Sequence, residues 1–369
     1  MKRSLRILAA AALALAVVAG GMIFYLFVMS RGRTPPIVDS EGRVVPGSIT
    51  SLETHLLGGA EQWVLIRGRD STNPVLLFLH GGPGMPAMYL AHAFQRELER
   101  DFLVVHWDRR GAGKSFDAAA PRESLTVRRT LEDTYELTRS LRRYFGRPRI
   151  YLVGHSWGSY LGLLAVREHP EYYAAFIGVG QVAGDSAQLA ATQREFLARH
   201  TGKAADATRF ASSTGAVGAS EDDLFRYGGE LYGKTSFRPL LVTGLRAPEY
   251  TLLDAWNVRR GASVLLRQMK YDVEPRPYGG EIAEADVPVF FVLGRHDYVT
   301  PSQLAASYLD RLQAPLKGVT WFERSAHFPF FEEPERFRTE LVRIRDTVAL
   351  FWAEREPPDL VGRPPMARR

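Results

Sequence analysis

The pentapeptide Gly154-His155-Ser156-Trp157-Gly158 joins two segments of different periodicity without a spacer. Before it stands the apolar run Ile150-Tyr151-Leu152-Val153, and from Trp157 to about Glu168 the pattern reads as a helix. A serine at such a junction, with glycines two residues away on either side, fits the G-x-S-x-G bend that pushes the serine out of a sharp strand-to-helix turn. The bend needs a strand behind it and a helix ahead of it, which constrains the rest of the chain. Further apolar runs supply the partners: Val75-Leu76-Leu77-Phe78-Leu79, Phe102-Leu103-Val104-Val105, Phe176-Ile177-Gly178-Val179 and Val289-Phe290-Phe291-Val292-Leu293. Between two of them Val127, Leu131, Tyr135, Thr138, Leu141 and Phe145 recur at steps of three or four, as on one buried helix face. Fully apolar strands separated by helices imply a parallel sheet covered on both faces, an α/β fold.

A serine nucleophile needs a base, and the base needs an orienting acid. In this type of sheet the acid and then the histidine follow the serine, each just after a later strand. Val289–Leu293 runs into Gly294-Arg295-His296-Asp297, which selects Asp297. Val319-Thr320-Trp321-Phe322 is a plausible last strand and leads through Glu323-Arg324-Ser325-Ala326 to His327. His155, His296 and His80 are read as structural. The oxyanion formed on attack needs preorganised donors. One is the backbone N–H of Trp157; the other is expected from Gly81 or Gly82 in His80-Gly81-Gly82-Pro83-Gly84, the loop after the Val75–Leu79 strand.

Composition and charge remove other classes. The chain of 369 residues has no cysteine, so disulfides, thiolate metal sites and a cysteine nucleophile are excluded. Its net charge of +6 resides at the ends, five units of it in residues 1–33. A neutral body is a poor match for nucleic acid, which is not expected as a partner. Asp108-Arg109-Arg110-Gly111-Ala112-Gly113-Lys114-Ser115 ends like a phosphate-binding loop, but the required first glycine is Asp108. It reads as a glycine-rich loop beside the site, shaped by Asp108 and Arg109. No metal or cofactor is expected.

The amino terminus carries an uncharged run, Ile7–Met29, of 23 residues. As a helix it would be roughly 35 Å long, enough to cross a hydrocarbon core of about 30 Å. Lys2, Arg3 and Arg6 precede it, which places the terminus in the cytoplasm and the body beyond the membrane. The alternative is a signal sequence cleaved near Val17-Val18-Ala19, giving a secreted body. The expected organisation is a cytoplasmic stub and transmembrane helix (1–33), a linker (34–47), a first core part (48–183), a helical cap (184–278), a second core part (279–353) and a disordered tail (354–369).

These signatures resemble the α/β-hydrolase superfamily and, within it, the proline iminopeptidase group of serine peptidases. The resemblance spans about residues 48–350 and rests on His80–Gly84, Asp108–Ser115, Gly154–Ser159, Gly294–Asp297 and Ser325–His327. It implies a Ser156-His327-Asp297 triad, the oxyanion donors named above and a helical cap. The group usually has Gln where this chain has Arg109, a change expected to be mild. Its members also hold the substrate's free amine with cap glutamates, and Leu252–Arg260 offers Arg where that acid is expected. Glu195, Glu230, Glu249 and Glu274 are the available candidates. The function implied is a membrane-anchored, proline iminopeptidase-like aminopeptidase acting on small peptides. An esterase or lactonase for small lipophilic esters is the alternative, and a catalytically silent binding protein a remote third. Ser156 excludes chemistry that needs an aspartate nucleophile at that position.

Overall fold

The computed structural model describes residues 2–29, 32–201, 219–273 and 282–355. The sheet has eight strands: β1 (Ile49–Leu57), β2 (Ala60–Gly68), β3 (Val75–Leu79), β4 (Leu103–Trp107), β5 (Ile150–His155), β6 (Tyr173–Val179), β7 (Val289–Gly294) and β8 (Lys317–Phe322). Their order is β1-β2-β4-β3-β5-β6-β7-β8. β1, β2 and β4 pair antiparallel, and every later pairing is parallel. The α/β expectation therefore holds, and the six strands read from apolar runs are β3 to β8.

The helices are α1 (Lys2–Met29), α2 (Met88–Leu98), α3 (Val127–Tyr144), α4 (Trp157–Glu168), α5 (Ser186–Thr201), α6 (Glu221–Arg226), α7 (Arg238–Gly244), α8 (Leu252–Val273), α9 (Ser302–Arg311), α10 (Pro329–Glu332) and α11 (Pro334–Ala353). Strand side chains alternate between two cores. Val75, Leu77 and Leu79 pack with α3, α4 and α9, whereas Leu76 and Phe78 pack with α2 and α11. This period of two is why the strands are apolar throughout. α3 starts where Thr126 accepts a hydrogen bond from the Arg129 amide at 3.1 Å, satisfying an N–H left open at the helix start.

β1 and β2 form a hairpin that the apolar runs do not reveal. β1 is mostly half-buried or exposed. Buried Gln62 in β2 reads as polar, yet it is bonded to Trp107 Nε1 (3.0 Å), the Arg110 amide (2.7 Å) and Asp133 (2.8 Å). The turn residues Gly58 and Gly59, at φ +52° and +75°, are the available signal, since a two-residue hairpin needs positive φ at both.

Between β6 and β7 the described residues form α5 to α8 and no strand. The segment expected as a linker packs on the body: Ile37 is buried, Val38 bridges Val44, and the Arg33 amide donates to Pro248 O at 3.1 Å. In α1 the side chains from Arg6 to Tyr25 are all exposed. Glu274 and tail residues 356–369 lie outside the described residues.

Candidate active site

The named side chains meet at the carboxyl ends of β3, β5, β7 and β8, where open parallel sheets form their binding crevice. Ser156 follows β5 at φ 53°, ψ −126°, the one described non-glycine residue with positive φ. Neighbouring backbone and side-chain groups hold this strained turn. The Ser156 amide donates to Val179 O at 2.9 Å, and its carbonyl accepts from Ser159 Oγ at 2.6 Å. Asp297, in the loop after β7, has a fully buried side chain. It accepts from the amides of Val299 and Thr300 and from Thr300 Oγ1, each at 2.9 Å. His327, after β8, lies with Nδ1 2.9 Å from Asp297 Oδ2. Ser156 and His327 line one cavity of about 290 Å³ with Gly81 and Gly82.

Gly81 approaches the serine so closely that an added Cβ would stand 2.8 Å from Ser156 Cβ. Trp157 heads α4, where the first N–H groups have no helical acceptor. Arg109 unites these two parts. Its Nη2 donates to the carbonyls of His80 (2.7 Å), Pro83 (2.9 Å) and Gly81 (3.2 Å), and its guanidinium lies 4.5 Å over the Trp157 ring. Burial lowers the Arg109 pKa to about 9. His80, kept neutral by burial, accepts from Arg109 Nε at 3.1 Å. The Arg-for-Gln departure is thus absorbed by the loop's own carbonyls.

His155 and His296, the other histidines beside these loops, have partners of their own. His155, kept neutral by burial, donates from Nε2 to His327 O at 2.9 Å, and the His296 ring lies tilted against Tyr232 with ring centres 4.5 Å apart. Two residues that the sequence did not single out also hold the site. Glu332 accepts from the amides of Ala326 (2.9 Å) and Phe328 (3.0 Å), on either side of His327. Thr300 bonds Asp297 and lies 3.3 Å from His327 Nδ1. Neither stands in a motif; only the folded loops bring them there.

Of the four candidate glutamates, the structure brings Glu230 to the cavity. The Gly229 carbonyl accepts from the Tyr298 amide at 2.9 Å and the Glu230 carbonyl from the His327 amide at 3.0 Å, so this segment is laced between the Asp297 and His327 loops. Glu230 is 7% exposed and its Oε2 has no hydrogen-bond partner. Burial, with the nearby charges of Glu221 and Asp297, holds its carboxyl well above the usual carboxylate range. Glu221, absent from the candidates, lines the cavity's open side. Glu195 is exposed on α5, and Glu249 is buried elsewhere, accepting from Thr34 at 3.1 Å.

A mostly parallel eight-stranded sheet with a strained serine at the end of β5 defines an α/β hydrolase. The chain belongs to the alpha/beta hydrolase family, whose family model matches residues 76–340, and it is a hydrolase. It is 30% identical over 306 residues to a probable aminopeptidase of Bacillus subtilis (strain 168), covering 80% of this chain and 96% of the relative. It is 27% identical over 277 residues to a proline iminopeptidase of Heyndrickxia coagulans, covering 72% and 87%. The crystal structure of a bacterial membrane phospholipase A shares the fold, with a TM-score of 0.60, 20% identity, and 95% and 99% of the two chains covered.

Proposed function

We propose that the protein is a serine aminopeptidase that releases amino-terminal proline or other small apolar residues. Ser156 Oγ attacks the scissile carbonyl while His327 takes its proton, and Asp297 holds the imidazole through Nδ1. The Trp157 amide and that of Gly81 or Gly82 bind the oxyanion. His327 passes the proton to the leaving amine, which departs and leaves an acyl ester on Ser156. Water, deprotonated by His327, hydrolyses that ester and restores the hydroxyl.

The observation that carries the substrate class is the unpartnered Glu230 carboxylate in the serine's cavity. Burying a substrate ammonium without a counter-charge costs several kcal/mol. A substrate ammonium beside Glu230 opposes the effect of burial and favours its ionised form, so that Glu230, with Glu221 at the open side, supplies that charge. An uncharged ester has no use for a buried carboxylate, although the apolar groove beside the cavity keeps an esterase as the second reading. Proline arylamide and its N-acetyl derivative are the discriminating pair. The free amine should be cleaved and the blocked one not, and Glu230→Gln should raise KM about tenfold or more while sparing ester cleavage. Equal turnover of both amides, or good ester cleavage without amide cleavage, would eliminate the peptidase.

We further propose that α1 remains attached and spans a membrane, with the body on the extracytoplasmic side. Its apolar length and preceding Lys2, Arg3 and Arg6 support this; an apolar helix near the amino terminus is also what a signal sequence presents.

A further inference from the structure

The chain leaves α1 at Met29 and is bound to the body by Gly32. A Cβ on Gly32 would lie 3.2 Å from Thr251 Cγ2, the Arg33 amide donates to Pro248 O at 3.1 Å, and Thr34 Oγ1 donates to Glu249 at 3.1 Å. Three Cα–Cα steps separate Met29 from Gly32, so at about 3.8 Å each they span at most about 11 Å. The end of α1 therefore cannot stand far from the Pro248–Thr251 loop. Resting on the reading that α1 crosses a bilayer, this puts the α7–α8 connection beside the membrane surface.

The side chains around that connection suit such a place. Leu241 is 51%, Leu253 64% and Trp256 59% exposed, and Val242 and Leu245 are exposed with them. Arg238, Arg246, Arg259 and Arg260 are exposed among these apolar residues. The acids between Tyr232 and Arg267 are Glu249, which is buried, and Asp254, which is paired with Lys114 at 2.8 Å. Large apolar side chains mixed with four exposed arginines, which outnumber the exposed acids Glu221 and Asp117 beside them, match the boundary between acyl chains and anionic headgroups. A groove of about 460 Å³ opens between α7 and α8, walled by Leu241, Leu245 and Val258, and shares Met85, Tyr89, Phe237, Ala262 and, as an acid at its junction, Glu221 with the Ser156 cavity.

We propose that the α7–α8 corner is seated on the bilayer. Its leucines and Trp256 enter the headgroup–acyl boundary, its arginines meet anionic headgroups, and the groove toward the serine opens onto lipid.

The chain has no cysteine, so single-cysteine variants of the full protein can each carry one fluorophore. Leu241→Cys and Leu253→Cys report the corner. Tyr144→Cys, 78% exposed at the end of α3 and so toward the amino-terminal ends of the parallel strands, away from the serine, is the control, and Ala14→Cys reports α1. Each labelled protein is placed in vesicles of phosphatidylcholine and phosphatidylglycerol, with and without nitroxide-bearing lipid, after ester cleavage in detergent has shown it to be folded. Labels at 241 and 253 should be quenched at least about twofold more than the label at 144. Quenching at 14 with none above control at 241 and 253 overturns the docking and leaves the anchor standing. Protection of 241 and 253 from aqueous iodide without lipid quenching makes the corner a contact between copies instead, and also overturns it. No quenching at any position, with protein that fails to float with the vesicles, overturns anchor and docking together.

Discussion

Ser156 occupies a backbone conformation that costs about 1–3 kcal/mol, and the bonds from Val179 and Ser159 hold it there. Strain of this kind at one residue fits a side chain that must stand clear of its neighbours. If Ser156 is the nucleophile, Ser156→Ala and His327→Ala should each lower kcat by about 10⁴-fold with folding intact. A fluorophosphonate probe should label the wild type and not the alanine variant; persistent labelling of Ser156→Ala would refute the assignment. Glu332 acts at one remove. Its two oxygens accept three amides, from Tyr232 (2.6 Å), Ala326 and Phe328, and thereby hold the His327 loop. Glu332→Gln replaces one acceptor oxygen with a donor, so it can keep the Ala326 and Phe328 amides only by turning its NH2 against the Tyr232 amide, which loosens the hold of that oxygen on the loop. Because His327 acts on the reacting atoms and not on substrate binding, kcat should fall about tenfold with KM little changed. An equal effect on KM would make Glu332 a pocket residue instead.

At the scale of elements, the glycine-rich loop after β4 ties the core to α8. Asp108 Oδ2 accepts from the Lys114 amide at 2.8 Å and from the Tyr250 hydroxyl, while Lys114 pairs with Asp254 at the start of α8. The loop's glycines and lysine thus serve packing and not phosphate. Burial raises the Asp108 pKa to about 7 from 3.8, against the hydrogen bonds of Tyr250 and Lys114. With the folded value above the unfolded one, its contribution to stability is full below about pH 4 and is lost as pH rises through about 7. Asp108→Asn removes that dependence and keeps one acceptor. In thermal melts between pH 5 and 7.5, the Tm of the variant relative to wild type should therefore rise with pH. A constant difference across the range would show that Asp108 does not titrate in this window.

For the whole molecule, the described side chains of α1 belong to neither core, and both cores are built from residues between Leu57 and Phe351. Both cores are built from residues outside α1, which is compatible with the proposal that this helix spans a membrane. Protease added to intact spheroplasts should digest the body, and a full-length chain should be recovered from the membrane fraction. Complete protection of an active chain would reverse the orientation, whereas a mature amino terminus near Gly20 would show cleavage.

The sequence by itself determined the central strands, the serine bend and the residues expected to surround it. Each of those depends on a local pattern: an apolar run, a glycine at fixed spacing, a chain order. The β1–β2 hairpin escaped because its buried polar residues, such as Gln62, are satisfied only by partners from β4, the loop after it and α3. The choice among glutamates escaped for the same reason. Glu195, Glu230 and Glu249 look alike in sequence, and their surroundings set them apart: solvent on α5, the serine's cavity, or the segment that follows α1. A carboxylate's charge and availability depend on neighbours brought from distant parts of the chain, and only the tertiary structure decides which neighbours those are.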